Sequence, residues 1–303
     1  MNSRLSNENI KAEARRLGFF ACGLARADAV DEDTAARVRQ WLDHHDYATM
    51  EYMANYTDKR LDPRLLVDGV HTIVSVAMNY APAQRLPKGQ PQMAAYALGQ
   101  DYHDLVKERL RKLAAAIGAA DGWRAFCDSA PVLERYWAVK AGLGWTGRNH
   151  QLIIPHAGSM FFLGELFLQE ELKPDEPMVS RCGTCHRCID ACPTHALTLR
   201  GEMDAERCLS YQLIENRGEL SDLAKEKMGD CFYGCDRCQT ACPWNHFATP
   251  TTEPSLQPKP ELLQMTRDDW RHLSVEDYRR LFKGSAVKRA KYDGLKRNID
   301  NLS

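Results

Sequence analysis

The sequence predicts a protein of mixed class, α+β or α/β, in three parts: a sheet-and-helix domain over 1–172, a cysteine-rich domain over 173–247 and a C-terminal helical segment over 248–303. Three observations predict it. Strand and helix patterns alternate up to about residue 170, which indicates helices packed on a sheet. Two cysteine runs, 182–193 and 235–243, interrupt that alternation. Beyond residue 260 the apolar spacing is helical only.

Taking the elements in order, residues 1–20 read as an amphipathic helix ending at Gly18. Residues 19–25 read as a strand, with Cys22 a buried apolar residue inside it. Residues 31–45 are helical, with Val38, Trp41 and Leu42 on one side, and 60–66 form a turn and a short helix. Residues 71–80 are a buried strand, because β-branched apolar residues dominate them. Pro82, Pro87, Gly89 and Pro91 mark a loop. Asp101 suits the cap of a helix running to about Ile117, on which Leu105, Leu110 and Leu113 form the apolar stripe. Residues 123–128 form a strand that ends on Asp128, and 133–141 a helix. Residues 151–154 and 159–168 read as a hairpin. Near the C-terminus Trp270, Leu273, Tyr278 and Leu281 are the expected packing residues.

The first cysteine run, Cys182-Gly-Thr-Cys185-His-Arg-Cys188-Ile-Asp-Ala-Cys192-Pro193, has the C-x2-C-x2-C-x3-C-P spacing of a bacterial [4Fe–4S] ferredoxin. The second, Cys235-Asp-Arg-Cys238-Gln-Thr-Ala-Cys242-Pro243, lacks its first cysteine because Phe232 stands there. In two-cluster ferredoxins the last cysteine of each run serves the other cluster. Cys182, Cys185, Cys188 and Cys242 therefore form one ligand set, and Cys192, Cys235 and Cys238 three quarters of another. Cys208 and Cys231 compete for the open place. Cys208 heads an expected helix, whose free N–H groups favour a thiolate, and Cys231 is one residue out of register. Structural zinc is the alternative for CxxC pairs, but it does not explain two runs ending in Cys-Pro. A disulfide framework fits less well still.

Composition narrows the function. The 303 residues are 44% hydrophobic with net charge -1, so any polyanion surface is local. Such a patch stands at Arg279, Arg280, Lys283, Lys288, Arg289, Lys291, Lys296 and Arg297, though taken alone a solvated helix face is its simpler explanation. No stretch reaches membrane-span length, the first 20 residues hold no apolar leader, and eleven cysteines mostly in cluster runs point to a reducing cytoplasm. Gly142-Leu-Gly-Trp-Thr-Gly147 meets G-x-G-x-x-G literally but follows a helix, so it is not read as a dinucleotide site. Asp128, at a strand end beside apolar neighbours, suits either a general acid or a turn cap before Pro131. Tyr102 and His103 either line a pocket or merely begin their helix.

Several stretches together resemble the epoxyqueuosine reductase family. They are Lys59-Arg60-Leu-Asp-Pro, Val76-Ala-Met-Asn-Tyr80, Tyr96-Ala-Leu-Gly-Gln-Asp101-Tyr102-His103 and Asp128-Ser-Ala-Pro-Val-Leu-Glu-Arg135. Ala141-Gly-Leu-Gly-Trp-Thr-Gly-Arg148-Asn, Gly158-Ser159-Met-Phe-Phe-Leu-Gly, Arg207-Cys208-Leu-Ser-Tyr211, Tyr233-Gly-Cys-Asp-Arg-Cys-Gln and Gly284-Ser-Ala-Val-Lys-Arg289 continue the match. Gly294-Leu-Lys-Arg297-Asn completes it.

The resemblance implies a cobalamin held between the N-terminal domain and a two-cluster ferredoxin-like domain. It implies Cys208 as the eighth cluster ligand, Asp128 as proton donor to an epoxide oxygen, and Arg60, Asp128, Ser159 and Tyr211 as cobalamin neighbours. Tyr102 and His103 become substrate candidates. The implied partners are tRNAs for Tyr, His, Asn and Asp with a GUN anticodon and a low-potential donor such as a flavodoxin or ferredoxin, and a monomer is expected. Arg148 stands where the family usually has Lys, and the helical-repeat tail of many members does not follow Ser303. Two rival readings remain, a reductive dehalogenase and a ferredoxin-type electron-transfer module.

Overall fold

A computed structural model describes residues 5–302. Helix α1 (Asn7–Arg16) is capped by Ser6, whose hydroxyl accepts from the Asn9 amide, and it buries Ile10 and Ala14. Residues 1–4 of the expected 1–20 helix lie outside the described residues. Strand β1 (Ala21–Arg26) follows, then α2 (Glu32–Asp43), capped by Asp31, and the short α3 (Thr57–Leu61). Strand β2 (Thr72–Asn79) is buried over all but its last residue, as its β-branched sequence requires. The two-residue β3 (Gln92–Met93) closes the proline-rich loop. Helix α4 (Tyr102–Ile117) starts at the Asp101 cap and buries Val106, Leu110, Leu113 and Ile117, with Leu105 at the margin of that stripe. Strand β4 (Arg124–Phe126) leads through Asp128 to α5 (Glu134–Lys140).

Strands β5 (Trp145–Thr146), β6 (Leu152–Ile153) and β7 (Phe161–Leu168) correct the hairpin expectation. Strand β6 pairs with β5, and β7 enters the main sheet instead. The turn explains it: Ile154 bridges back to Gly158, His156 takes a positive φ, and the chain is released to a new direction. An eight-residue apolar strand such as β7 is most stable with a partner on each side, and β2 and β4 supply them. The main sheet has order β1-β2-β7-β4 with every pair antiparallel, so the mixed class is realised in its α+β form. Helices α1 and α4 cover one face and α5 the other.

In the cysteine-rich part, α6 (Arg187–Asp190), α7 (Leu209–Ile214), α8 (Asp222–Lys227), β8 (Cys231–Tyr233) and α9 (Arg237–Thr240) are short. Strand β8 pairs in parallel with β3, a link between distant segments. The C-terminal segment holds α10 (Pro260–Gln264), α11 (Arg267–Arg271), α12 (Val275–Leu281) and α13 (Lys291–Asp300). One apolar core runs from Ile10 through Leu213 and Phe232 to Leu302, so all three sequence segments share it. Trp270 is central to it, 1% exposed and against the Phe232 ring at 4.6 Å. Trp270→Ala is expected to lower stability by about 3–5 kcal/mol, read from chemical denaturation of the iron-loaded protein. Among the described residues no helix is long and apolar enough to cross a membrane.

Candidate functional site

Between the open end of the main sheet and the cysteine-rich part lies a cavity of about 2200 Å³. A drug-sized pocket is roughly 300–1,000 Å³, so this space suits a much larger group or two ligands together. Arg60, Tyr102, His103, Asp128, Ser159 and Tyr211 all line it. So do Cys192, Cys208, Cys235 and Cys238, whereas Cys182, Cys185, Cys188 and Cys242 do not.

Strand β4 delivers Asp128 to the cavity wall. The sheet is antiparallel, so the crevice rule for parallel α/β sheets is not what places it there. Its position follows from being just past the end of an edge strand, in a left-handed turn with φ 57°. Aspartate tolerates that region better than most residues, yet a non-glycine residue there still needs fixing by its surroundings. The Tyr102 hydroxyl donates to Asp128 Oδ2. The Tyr102 ring is held parallel to Phe162 at 3.9 Å and stacks on His103 at 4.2 Å. His103 Nε2 stands 3.6 Å from Asp128 Oδ2, and its Nδ1 is 2.6 Å from Asp101 Oδ1.

The hydrogen bond to Asp101 raises the His103 pKa, and the same contact lowers that of Asp101. Burial and the facing Asp128 raise that of Tyr102, which keeps it a hydroxyl donor. Asp101 thus has two roles: it caps α4 and bonds the His103 ring.

Ser159 is 2% exposed and ties the sheet to the cysteine-rich part. Its N–H donates to Asn245 Oδ1 at 2.7 Å, and Gln239 Nε2 donates to its carbonyl at 3.0 Å. Gly158 makes this possible: it has φ 86°, and a Cβ there would collide with Asn245. The Tyr211 hydroxyl lies 2.7 Å from Thr49 Oγ1. Arg60 is 9% exposed, and burial lowers its pKa. The buried Arg60 Nε, Trp145 Nε1 and His150 Nε2 meet no hydrogen-bond partner, and all three residues line the cavity. Buried polar atoms are rarely left so, and these fit a large ligand bearing amide groups. Trp145 and His150 were not among the residues singled out from sequence, since neither pattern nor spacing marks a polar atom that becomes orphaned only after packing.

The sulfurs fall into two groups. Cys188 interacts electrostatically with Cys242 and Cys182, and Cys242 also with Cys185. Cys238 interacts with Cys235, Cys208 and Cys192. Cys208 is the N-cap of α7 and makes no side-chain cap hydrogen bond, though the Ser210 and Tyr211 N–H groups favour its thiolate against the burial that raises its pKa. Cys231 sits on β8, interacts with Cys235 and faces Arg237, but does not line the cavity. Burial pushes the Cys235 thiol up to about 12 and raises Cys208 and Cys238, so these thiols stay protonated until iron displaces the proton.

The comparisons with known proteins carry the same pattern. Residues 181–245 match the family described as 4Fe-4S double cluster binding domain, so two [4Fe–4S] clusters belong to this chain. Residues 60–129, which hold Arg60, Tyr102, His103 and Asp128, match the family described as Epoxyqueuosine reductase QueG, DUF1730. An epoxyqueuosine reductase of Cellulophaga algicola is 44% identical over 307 residues, covering 100% of both chains. The structure of epoxyqueuosine reductase from Streptococcus thermophilus superposes with TM-score 0.88 at 27% identity, over 99% of this chain and 80% of that one. A crystal structure of epoxyqueuosine reductase with an epoxyqueuosine-modified tRNA-Tyr stem loop superposes with TM-score 0.86, also at 27% identity, over 97% and 80%. Full-length identity, the shared fold and the doubled cysteine pattern converge: the chain belongs to the epoxyqueuosine reductase family.

Proposed function

We propose that this chain reduces epoxyqueuosine to queuosine at the wobble position of tRNAs with a GUN anticodon, those for Tyr, His, Asn and Asp. The observation that carries the reading is one cavity with a carboxyl between two proton-bearing side chains on one wall and four cluster cysteines on the other. Removing the epoxide oxygen consumes two electrons and two protons, forms an alkene and releases water.

Cys192, Cys208, Cys235 and Cys238, which line the cavity, would hold one cluster, and Cys182, Cys185, Cys188 and Cys242, which do not, the other; the pair would supply electrons one at a time. The donor outside is a low-potential carrier such as a flavodoxin or ferredoxin, and eleven cysteines mostly in cluster runs fit a reducing cytoplasm. A cobalamin in the cavity supplies the low-potential reducing chemistry that side chains lack. Arg60, Trp145 and His150, with their unpartnered nitrogens, would help hold it, and Ser159 and Tyr211 shape the wall.

Asp128 donates a proton to the epoxide oxygen as that oxygen leaves. The Tyr102 hydroxyl fixes Oδ2, which orients the carboxyl. His103, whose bond to Asp101 keeps it protonated to higher pH, returns a proton to Asp128 through Nε2. Mass spectrometry of tRNA nucleosides from a strain lacking the gene tests the assignment in the cell. Epoxyqueuosine should replace queuosine, and unchanged queuosine overturns the reading.

The tRNA lies over the basic C-terminal segment. Arg280, Arg289 and Lys296 are tied to Glu261, Glu215 and Asp300, and Arg297 bonds backbone carbonyls at Gln212 and Asn216. Arg279, Lys288 and Lys291 instead line a shallow groove with Tyr278 and Tyr292. Lys288 also reaches the cavity rim. Lys288→Glu combined with Lys291→Glu is expected to weaken tRNA binding and lower its salt slope by about 2, with cobalamin uptake intact. An unchanged slope assigns these charges to a solvated face.

A further inference from the structure

Two acidic side chains behind Asp128 are absent from the mechanism above. Glu134 is the first residue of α5, and its Oε1 accepts the Asp128 peptide N–H. Glu165 lies in the middle of β7, 0% exposed, paired across the sheet with Ser75 on β2 and Phe126 on β4. Neither Glu165 oxygen meets a donor, and Ser75 Oγ is likewise unpartnered. The polar group that Glu165 faces is the Glu134 carboxyl.

Among the described residues no cation forms an ion pair with either glutamate. The charged groups acting on Glu134 are Asp128, Glu165 and Arg135, and those acting on Glu165 are Glu134 and Asp128. Arg135 is exposed and gives its Nη1 to the His150 carbonyl at 2.9 Å. Cys127, buried beside them, feels both glutamates, Asp128 and the more distant Lys107. Burial raises the pKa of both glutamates; repulsion from Asp128 then raises Glu134 further, and repulsion from Glu134 raises Glu165, while the contact with Glu165 favours the charge on Glu134. An isolated buried carboxylate is so costly that the group keeps its proton. A protonated carboxyl has one O–H to donate, and the Glu134 carboxylate is within its reach.

We propose that Glu165 is a neutral carboxylic acid whose O–H bonds the Glu134 carboxylate, and that Glu134, through the Asp128 peptide N–H, fixes the left-handed turn that aims Asp128 into the cavity. Glu134 and Glu165 are positioning residues. The positioning role rests on Asp128 as proton donor; the proton on Glu165 does not.

Infrared difference spectroscopy of the iron-loaded protein reads the proton directly. Wild type should show the C=O stretch of a protonated carboxyl persisting above neutral pH, and Glu165→Gln should lack it. Absence of that band in wild type overturns the pair, whatever Asp128 does. Single-turnover reduction of epoxyqueuosine tRNA reads the positioning. Glu165→Gln, whose amide N–H donates as the acid does, should stay within about threefold of wild type. Glu165→Leu removes the donor and should lose about 10²-fold in rate with tRNA affinity unchanged, as a misaimed catalytic group does. A Gln variant that is folded and iron-loaded yet as slow as the Leu variant shows that charge is required, and overturns the neutral acid. A Leu variant at full rate overturns the positioning role.

Discussion

Asp128→Asn is expected to bind tRNA and assemble both clusters as wild type does, and to lose about two to four orders of magnitude in the single-turnover rate. Asparagine keeps the size and the hydrogen bonding of the side chain, and like aspartate it tolerates the positive φ of this turn. The Tyr102 hydroxyl retains an oxygen to bond. What is lost is the carboxylic proton. Pre-reducing the enzyme separates that loss from electron delivery. A variant as fast as wild type would move the donor role to Tyr102 or His103, the two other proton-bearing groups beside the carboxyl. A variant that no longer takes up cobalamin would make Asp128 a wall residue of the cavity.

Cys208→Ser is expected to retain about half the iron of wild type after anaerobic reconstitution, because one of two [4Fe–4S] clusters loses a ligand. Cys231→Ser should retain nearly all of it. The contrast rests on position: Cys208, at the start of α7, lines the cavity with Cys192 and Cys238 and interacts with both. Cys231 interacts with Cys235 but does not line the cavity. Since the affected cluster borders the cavity, Cys208→Ser should also abolish turnover with the external donor. Loss of half the iron from Cys231→Ser alone would reverse the assignment.

What could be read beforehand was whatever local chemistry fixes. Cluster ligands declare themselves because a cubane dictates the spacing of the thiolates that hold it, so seven of eight proposed ligands followed from counting, and Cys208 from an expected helix that α7 realises. Asp101 was legible as a cap for the same local reason. Strand partners were not: Leu152 and Ile153 carry no mark that distinguishes Trp145 and Thr146 from β7 as neighbours, and the parallel β3–β8 pair joins residues far apart in sequence. Glu165 is the sharpest case. In sequence it interrupts an apolar strand and looks like a solvent-facing position, yet α5 folds over that face and buries it against Glu134. The basic C-terminus misleads in the opposite direction, because Arg280 and Arg289 find acids at Glu261 and Glu215 that only the tertiary fold brings to them.

The most direct test of the assigned reaction uses the protein loaded with both clusters and cobalamin, a chemical reductant and tRNA-Tyr carrying epoxyqueuosine. Nucleosides are then digested and weighed by mass spectrometry. The account predicts conversion of epoxyqueuosine to a species lighter by one oxygen that co-elutes with queuosine, and none with the unloaded protein. Epoxyqueuosine recovered intact from fully loaded, reduced enzyme that demonstrably binds the tRNA would contradict it.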